Sequence, residues 1–323
     1  MSLDEATSAF LTAAADNAGD RPLWELSAPE AREATSGLEE LYGPGPQMHE
    51  ARDHRVTGQD GGEFTVRVLI PSPSPTSVVV YYHGGGWVLE NLAGYDTLGR
   101  QLAEKSGAAV ALVEYRKAPE HPFPIPIEDA WAGLRWARDN VAQQSEKTLP
   151  LIVAGDSAGA NLAAVVAQRA RDEGGPAVQA QILVCPVTDA DFTRDSYLAP
   201  ENQTTVTLEA MQWFWDQYLP DAAQRTNPAA TPFNAQSLTD LPPALVITAE
   251  HDVLRDEGEA YAHALQAAGV TVEHHRWKGQ MHTFFSMVNV LPGSAEAIDL
   301  VTKRINDFAK DAATQPVRAT TTT

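Results

Sequence analysis

The stretch LIVAGDSAGANLA, residues 151–163, decides the fold of this chain. Four apolar residues lead into the pentapeptide GDSAG, and an alanine-rich segment follows it. A short apolar run of this kind is typical of a buried strand, and the alanine-rich segment is typical of a helix. The sequence therefore predicts that a lone serine, Ser157, lies at a sharp turn between a strand and a helix.

The pattern G-x-S-x-G around Ser157 has a physical reason in such a turn. Gly155 and Gly159 carry no Cβ at the points where the strand and the helix must pack closely. The serine adopts a strained backbone that pushes its hydroxyl clear of the sheet, beside the free N–H groups of the helix. We expect a nucleophile here; a serine that only caps the helix is the alternative. For Asp156 we expect a structural hydrogen-bonding role.

Strand and helix patterns alternate through most of the chain. A hairpin is predicted around the turn DGG, and five short apolar runs and a last strand follow it, with helical patterns between them. This alternation predicts an α/β fold with a mostly parallel eight-stranded sheet flanked by helices. The predicted strands cover 54–59, 63–71, 77–83, 108–115, 149–155, 180–187, 243–250 and 270–278. The predicted helices cover about 94–106, 127–142, 158–173, 257–268 and 294–312.

Two segments lie outside this alternation. Residues 1–48 have helix and loop patterns, and residues 188–240 contain no core-strand run. A loop of this length inside a domain usually carries function, often as a lid. We expect both segments to form a cap on the core. The predicted division is 1–48 for the N-terminal part of the cap, 49–187 and 241–312 for the catalytic core, 188–240 for the cap insertion and 313–323 for a disordered tail.

Aromatic residues are concentrated in a helical pattern at 208–220 within the second of these segments. The rings could line a substrate pocket or hold the cap together. Trp213 and Phe214, together with Trp87 from the core, are the candidates for the pocket.

The composition limits the classes of partner. The net charge of −20 and a pI near 4.7 argue against nucleic acid and anionic membranes as partners. The single cysteine, Cys185, lies in an apolar run and is expected to be a small core residue. Neither a signal peptide nor a membrane-spanning run is visible, so we expect a cytoplasmic protein. We expect no metal and no cofactor.

A serine nucleophile needs a base, and the base needs an acid that orients it. Of the nine histidines, His282 alone lies in the loop after the last predicted strand. Asp252 follows the strand before that, with Asp256 and Glu250 as rivals for the acid. The order Ser157, Asp252, His282 is that of the hydrolases in which the nucleophile lies on a strand-to-helix turn.

A second motif, HGGGW at residues 83–87, follows the strand predicted at 77–83. Glycine-rich loops of this type supply backbone N–H groups to an oxyanion in lipases and esterases. We expect the N–H groups of Gly85, Gly86 and Ala158 to bind that negative charge. His83 and Gly84 are expected to organise the loop. Phosphate binding is the alternative, but the loop lacks the lysine of a P-loop.

Together, these motifs resemble the bacterial branch of the hormone-sensitive lipase family (family IV), within the α/β-hydrolase superfamily. The resemblance covers residues 50 to 310 and rests on HGGGW (83–87), YRKAPEHPFP (115–124), GDSAGAN (155–161), DVLRDEGEAY (252–261) and MHTF (281–284). It implies a capped α/β-hydrolase that cleaves carboxylic esters, usually of short acyl chains. Its catalytic triad would fall on Ser157, Asp252 and His282.

Other functions remain open at this point. The same machinery serves amidases, lactonases and deacetylases, because a fold does not determine a substrate. A non-catalytic binder on this scaffold is the other alternative, and the plant gibberellin receptor, which resembles this family, has lost the triad histidine. A lipase for long-chain fat is disfavoured, since no strongly apolar interfacial segment is visible. The expected partner is a small-molecule ester, and a homodimer could form through the last strand.

Overall fold

Eight strands form a single sheet in this computed structural model, which describes residues 2–16, 19, 21–37, 39–143 and 148–314. Their order is β1-β2-β4-β3-β5-β6-β7-β8; β3 to β8 run parallel, and β2 runs antiparallel to both its neighbours, β1 and β4. The predicted fold class is confirmed. The strands are β1 (Glu50–Thr57), β2 (Glu63–Ile70), β3 (Val78–Tyr82), β4 (Ala109–Glu114), β5 (Leu151–Asp156), β6 (Val178–Val184), β7 (Ala244–His251) and β8 (Val272–Met281).

Helices connect these strands. They are α1 (Glu5–Asp16), α2 (Ala28–Ala34), α3 (Glu39–Tyr42), α4 (Leu92–Ser106), α5 (Ile125–Ala137), α6 (Ala158–Asp172), α7 (Asp195–Leu198), α8 (Leu208–Tyr218), α9 (Arg255–Ala267) and α10 (Pro292–Thr314). A π-helical turn, Arg138–Ala142, continues α5. Of the predicted tail 313–323, the first two residues continue α10, and the rest lies outside the described residues. No helix in the described ranges is both long and apolar enough to cross a membrane.

The apolar strands are buried on both faces because successive side chains point to opposite sides of the sheet. On β3, Val78, Val80 and Tyr82 pack in a cluster that includes residues of α5, α6 and α9. Val79 and Tyr81 pack in a second cluster, with residues of α4 and α10. The sheet therefore separates two apolar cores. Strands β1 and β8 form its edges, and the homodimer expected through β8 stays a prediction.

The segments predicted to form a cap contact the core at several places. The turn Leu23–Glu25 contacts α8, whereas α1 lies beside β8 and α3 beside α4. Asn161, in α6, is fully buried, and its side-chain amide donates to the carbonyls of Val187 (3.0 Å) and Ala230 (2.8 Å). The residue before the segment 188–240 and Ala230 within it are thereby attached to the helix that follows Ser157. The division into core and cap itself stays a prediction.

The turn between β5 and α6 is packed without any spare room. A Cβ on Gly159 would lie 1.9 Å from the carbonyl oxygen of Tyr82, and one on Gly155 would lie 2.4 Å from the backbone of Gly159. Both glycines are therefore required by the contact between the start of α6 and the ends of β3 and β5.

We expect Gly159→Ala to lower the free energy of unfolding by about 3 kcal/mol or more, because backbone cannot yield to the added methyl as a flexible side chain could. Gly107→Ala is the control. Its φ of 70° is unfavourable for alanine, whereas Gly159 lies within helix α6, but a Cβ on Gly107 would meet only Thr76, at 4.0 Å, so only about 1 kcal/mol of backbone strain is expected. Urea denaturation measures both. Equal losses in the two variants would contradict the packing argument.

Candidate active site

Ser157 lies at the carboxyl end of the sheet, between β5 and α6. Its φ of 54° and ψ of −122° form a backbone conformation that few residues other than glycine adopt. The conformation is held by hydrogen bonds, since the Ser157 N–H donates to the carbonyl of Val184 (2.9 Å) and its carbonyl accepts from Asn161 N–H (3.1 Å). The strained turn directs the hydroxyl away from the strand.

A chain of hydrogen bonds connects Ser157 with the predicted base and acid. His282 Nε2 lies 2.9 Å from Ser157 Oγ, and His282 Nδ1 lies 2.8 Å from an oxygen of Asp252. An ionised carboxylate only accepts, so the proton of a neutral His282 belongs on Nδ1, and Nε2 is left to accept from the serine hydroxyl. His282 follows β8 directly, and Asp252 follows β7. Parallel strands therefore bring all three residues to one edge of the sheet.

The rival acids are engaged elsewhere. Asp256 accepts from the backbone N–H of Ser196 (2.8 Å) and from Arg255 (3.0 Å). Glu250, within β7, accepts from the N–H of Gly279 (2.8 Å). Asp252 alone among the three candidates bonds to the imidazole of His282.

The charge around His282 favours its protonated form. Burial opposes protonation, but the charge and hydrogen bond of Asp252, aided by the charge of Asp156, outweigh it and raise the pKa of His282 above its usual value. An imidazole in this setting is a stronger base than a free one. The arrangement can therefore remove a proton from the hydroxyl of Ser157.

The glycine-rich loop after β3 offers unpaired backbone donors beside this chain. Gly85 and Gly86 have φ values of 91° and 59°, in the left-handed region that glycine tolerates. Within the part of the chain that the structure describes, the N–H groups of Gly85, Gly86 and Ala158 donate to no protein acceptor. Free N–H groups of this kind suit an anionic oxygen.

His83 is bound into this loop rather than exposed to solvent. Its Nδ1 bonds with the carbonyl of Gly84 (2.8 Å), and its ring stacks on Tyr115 with centroids 4.3 Å apart. Burial is the main cause that lowers the pKa of His83 to about 3. The imidazole is therefore neutral at physiological pH, as suits a residue that organises the loop.

Asp156 connects the loop with the sheet through two tyrosines. It accepts hydrogen bonds from the hydroxyls of Tyr81 (2.8 Å) and Tyr95 (2.7 Å), and Tyr95 in turn accepts from the N–H of Gly84 (3.0 Å). Burial raises the pKa of Asp156, and the two hydroxyl donors oppose that rise. The residue before the nucleophile thus positions the glycine loop.

Tyrosines 81, 95 and 115 were not identified from the sequence. Each contacts a partner more than thirty residues away along the chain, in the strand-end or loop motifs. A tyrosine in an apolar strand or helix has no local pattern that distinguishes it from an ordinary core residue. Only the packed structure identifies them.

Helix α8 lies against the glycine loop through an aromatic cluster. Trp87 is fully buried, with its ring stacked 4.1 Å from Tyr218 and edge-on to Trp215 at 5.0 Å. Of the three candidate pocket residues, Trp87 therefore belongs to the packing between the loop and α8.

Phe214 lies directly over the loop. A Cβ on Gly86 would fall 2.2 Å from its ring, so the ring is in van der Waals contact with that glycine. Trp213 is partly buried, with its ring 5.2 Å from that of Phe214. Phe214 and Trp213 stay the candidates for contact with a substrate.

One group of side chains has the spacing of a metal site. A ligand atom each from Cys185, Asp252 and His282 lies within 4.8 Å of the others. However, both nitrogens of His282 are engaged by Asp252 and Ser157. Burial, and then the charge of Asp252, raise the pKa of the Cys185 thiol well above its usual range, whereas a metal requires the thiolate. The geometry therefore favours the hydrogen-bonded chain of Ser157, His282 and Asp252 over a metal site.

The hydrogen bond between Asp252 and His282 can be tested by titration. We expect NMR to show a pKa for His282 above 6.5 in the native protein and below it in Asp252→Asn, because the variant keeps the burial and loses the charge. His282→Asn identifies the signal. Asp256→Asn is the matched control and should leave the pKa unchanged. Equal shifts in both aspartate variants would contradict the assignment of Asp252.

A protein-family model described as an α/β hydrolase fold matches residues 79–286, which is more than half of the chain. The carboxylesterase NlhH of Mycobacterium tuberculosis is 41% identical over 272 residues, which cover 82% of this chain and 85% of that protein. The ethyl acetate hydrolase of Pseudomonas putida is 32% identical and covers 88% of this chain and 91% of its own.

Solved structures agree with these relatives. A thermostable esterase from Pseudomonas putida ECU1011 superposes with a TM-score of 0.88 at 36% identity, over 95% of this chain and 98% of that one. The resemblance that the motifs indicated is thus confirmed. The chain belongs to the α/β-hydrolase fold family, among the relatives of hormone-sensitive lipase.

Proposed function

We propose that this protein is a carboxylesterase that hydrolyses short- to medium-chain acyl esters through an acyl-enzyme intermediate. The observation that carries the proposal is the hydrogen-bonded chain from Ser157 through His282 to Asp252, with distances of 2.9 and 2.8 Å. Relatives named as carboxylesterase and ethyl acetate hydrolase support the same class of reaction.

In the first step Ser157 Oγ attacks the ester carbonyl while His282 Nε2 takes the hydroxyl proton. Asp252 holds the imidazole in the required tautomer and stabilises the imidazolium that forms. The carbonyl oxygen becomes an oxyanion, which the N–H groups of Gly85, Gly86 and Ala158 bind. Each such donor is worth about 100- to 1,000-fold in turnover in other serine hydrolases.

The tetrahedral intermediate collapses when His282 gives its proton to the leaving alcohol. The acyl group then remains on Ser157 as an ester. A water molecule enters, His282 removes its proton, and a second tetrahedral intermediate releases the acid and restores the serine hydroxyl. His282 therefore acts as a base and an acid in turn, and the reaction needs no cofactor.

The proposed substrate class follows from the aromatic contact with the oxyanion loop. The Phe214 ring covers Gly86, so an acyl chain bound beside that glycine meets a bulky wall. In the proposed architecture, residues 1–48 and 188–240 form the cap that carries this wall. The contacts of α8 with Trp87 and with the turn Leu23–Glu25 support that arrangement.

Ser157→Ala is expected to lower kcat/KM on p-nitrophenyl acetate, butyrate and octanoate by about 10⁴-fold or more, because the nucleophile is lost. Ser237→Ala removes an exposed serine that bonds with Thr239 and should leave the rates unchanged. Palmitate should be turned over more slowly than butyrate by the native protein. The p-nitroanilides of the same acids are measured in the same assay, so that amide cleavage can be compared with ester cleavage.

Each other outcome points to a different function. Faster cleavage of anilides than of esters would replace the esterase by an amidase. No turnover of any of these substrates by folded protein would overturn the proposal in favour of a non-catalytic binder. Faster turnover of palmitate than of butyrate would contradict the short- to medium-chain preference alone.

Phe214→Ala is expected to raise the ratio of kcat/KM for octanoate over acetate by about tenfold, because the wall beside Gly86 is removed. Phe233→Ala is the control, since this ring contacts Tyr261, with centroids 6.4 Å apart, and the guanidinium of Arg194, 5.6 Å from its centroid, rather than Gly86. Its octanoate-to-acetate ratio should equal the native one. An unchanged ratio in Phe214→Ala would show that Phe214 does not limit the acyl chain.

A further inference from the structure

The pairing of β7 with β8 is irregular just before the acid and the base of the proposed triad. Ala249 pairs with Trp277, and the next pair is His251 with Met281, so β7 advances by two residues where β8 advances by four. Such an irregularity bends a strand and interrupts the ladder of hydrogen bonds. The sheet alone therefore fixes the relative position of the two loops that follow less firmly than a regular ladder would.

Residues 203–207 form the bend that leads into α8, and this bend contacts the end of β7. The hydroxyl of Thr204 donates to the carbonyl of His251, with 3.4 Å between the two oxygens. The turn Pro200–Asn202, directly before the bend, contacts β7 as well. Because His251 immediately precedes Asp252, the hydrogen bond holds the backbone from which the acid extends.

The same bend bonds to the residue that follows the base. The hydroxyl oxygens of Thr205 and Thr283 lie 3.2 Å apart. Thr283 directly follows His282, at the start of the 3₁₀ turn that succeeds β8. Two consecutive threonines of one segment therefore bond to the chain neighbours of both Asp252 and His282.

The bend is also held independently of these two hydrogen bonds. At one end, the side chain of Gln203 donates to the carbonyl of Tyr197 (2.7 Å) and accepts from the N–H of Leu208 (2.9 Å). At the other end, the hydroxyl of Thr207 accepts from the N–H of Ala210 and caps α8. Because both ends are held, the bend can act as a fixed support for the loops of the acid and the base.

We propose that Thr204 and Thr205 are positioning residues, which hold the loops of the acid and the base at the separation that their hydrogen bond requires. The inference deepens the proposed esterase function and rests on it. A hydroxyl is uncharged at neutral pH, so the effect is on geometry. Proton transfer between Ser157 and His282 depends steeply on their separation, so loss of the support should lower turnover more than substrate binding.

Valine variants test the proposal, because valine has the branching and nearly the shape of threonine but no hydroxyl. Thr205→Val and Thr283→Val should each lower kcat on p-nitrophenyl butyrate by about fivefold, the worth of one neutral hydrogen bond, and leave KM within about twofold. Thr204→Val should lower kcat by about two- to fivefold, since its hydrogen bond is longer. Thr205→Ser and Thr283→Ser keep the hydroxyl and should retain the native kcat.

A double-mutant cycle separates the shared hydrogen bond from two unrelated effects. If the two hydroxyls act on each other, the variant with both Thr205→Val and Thr283→Val should have the kcat of either single variant. Thr239→Val is the matched control, since Thr239 lies in the same segment and its hydroxyl bonds with Ser237 (2.9 Å). It should leave kcat and KM unchanged.

Three kinetic outcomes would overturn the proposal. The first is a pair of losses that multiply in the double variant, because the two hydroxyls would then act separately. The second is an equal loss of kcat in the valine and serine variants, because the hydroxyl would then have no part in the effect. The third is native kcat in both Thr205→Val and Thr283→Val.

A second readout does not depend on ester turnover. His282 Nδ1 lies 2.8 Å from Asp252, so NMR should show its proton far downfield, and His282→Asn identifies that signal. Thr204→Val and Thr205→Val should shift the signal, because the distance between acid and base changes, whereas Thr239→Val should not. An unshifted signal in the first two variants would overturn the inference. A protein that hydrolyses no ester but shows the shifts would remove only the proposed function.

Discussion

The contact between the start of α6 and the ends of β3 and β5 is the constraint on which the rest of the site depends. The backbone of α6 contacts the backbones of the two strands directly, because neither Gly155 nor Gly159 has a side chain that would separate these elements. The close approach places Ser157 and the free N–H of Ala158 beside the glycine loop that follows β3. If α6 packed less closely against β3 and β5, Ser157 would lie farther from the N–H donors that must bind the same carbonyl group.

Backbone strain gathers at the same edge of the sheet. Trp87, Ser157 and Cys185, which follow β3, β5 and β6, all have positive φ values, of 61°, 54° and 44°. In each case hydrogen bonds or ring stacking stabilise a backbone conformation that the residue rarely adopts by itself. The cost of these conformations, on the order of 1–3 kcal/mol each, is offset by the packed strands beneath them.

The sequence allowed the fold and the central chemistry to be predicted, for identifiable reasons. Ser157 and His282 could be predicted because strand ends and loops have local sequence patterns, and because the carboxyl ends of parallel strands lie at one edge of the sheet. Tyr95 could not, because its partner Asp156 is distant along the chain. The position of α1 beside β8 was missed for the same reason. Long-range contacts between residues of ordinary type leave no periodic signal in a sequence.

The paired hydrogen bonds of Asn161 have a consequence for how this protein can evolve. They attach the chain to α6 at Val187, immediately before the segment 188–240, and at Ala230 within it, so these two points are fixed to the helix that follows Ser157. Between these points, the exposed loops outside α8, which itself packs on Trp87, can then be lengthened, shortened or exchanged while Ser157 and its neighbours stay in register. A single buried amide thus fixes two points of the chain between which the exposed loops are free to diversify.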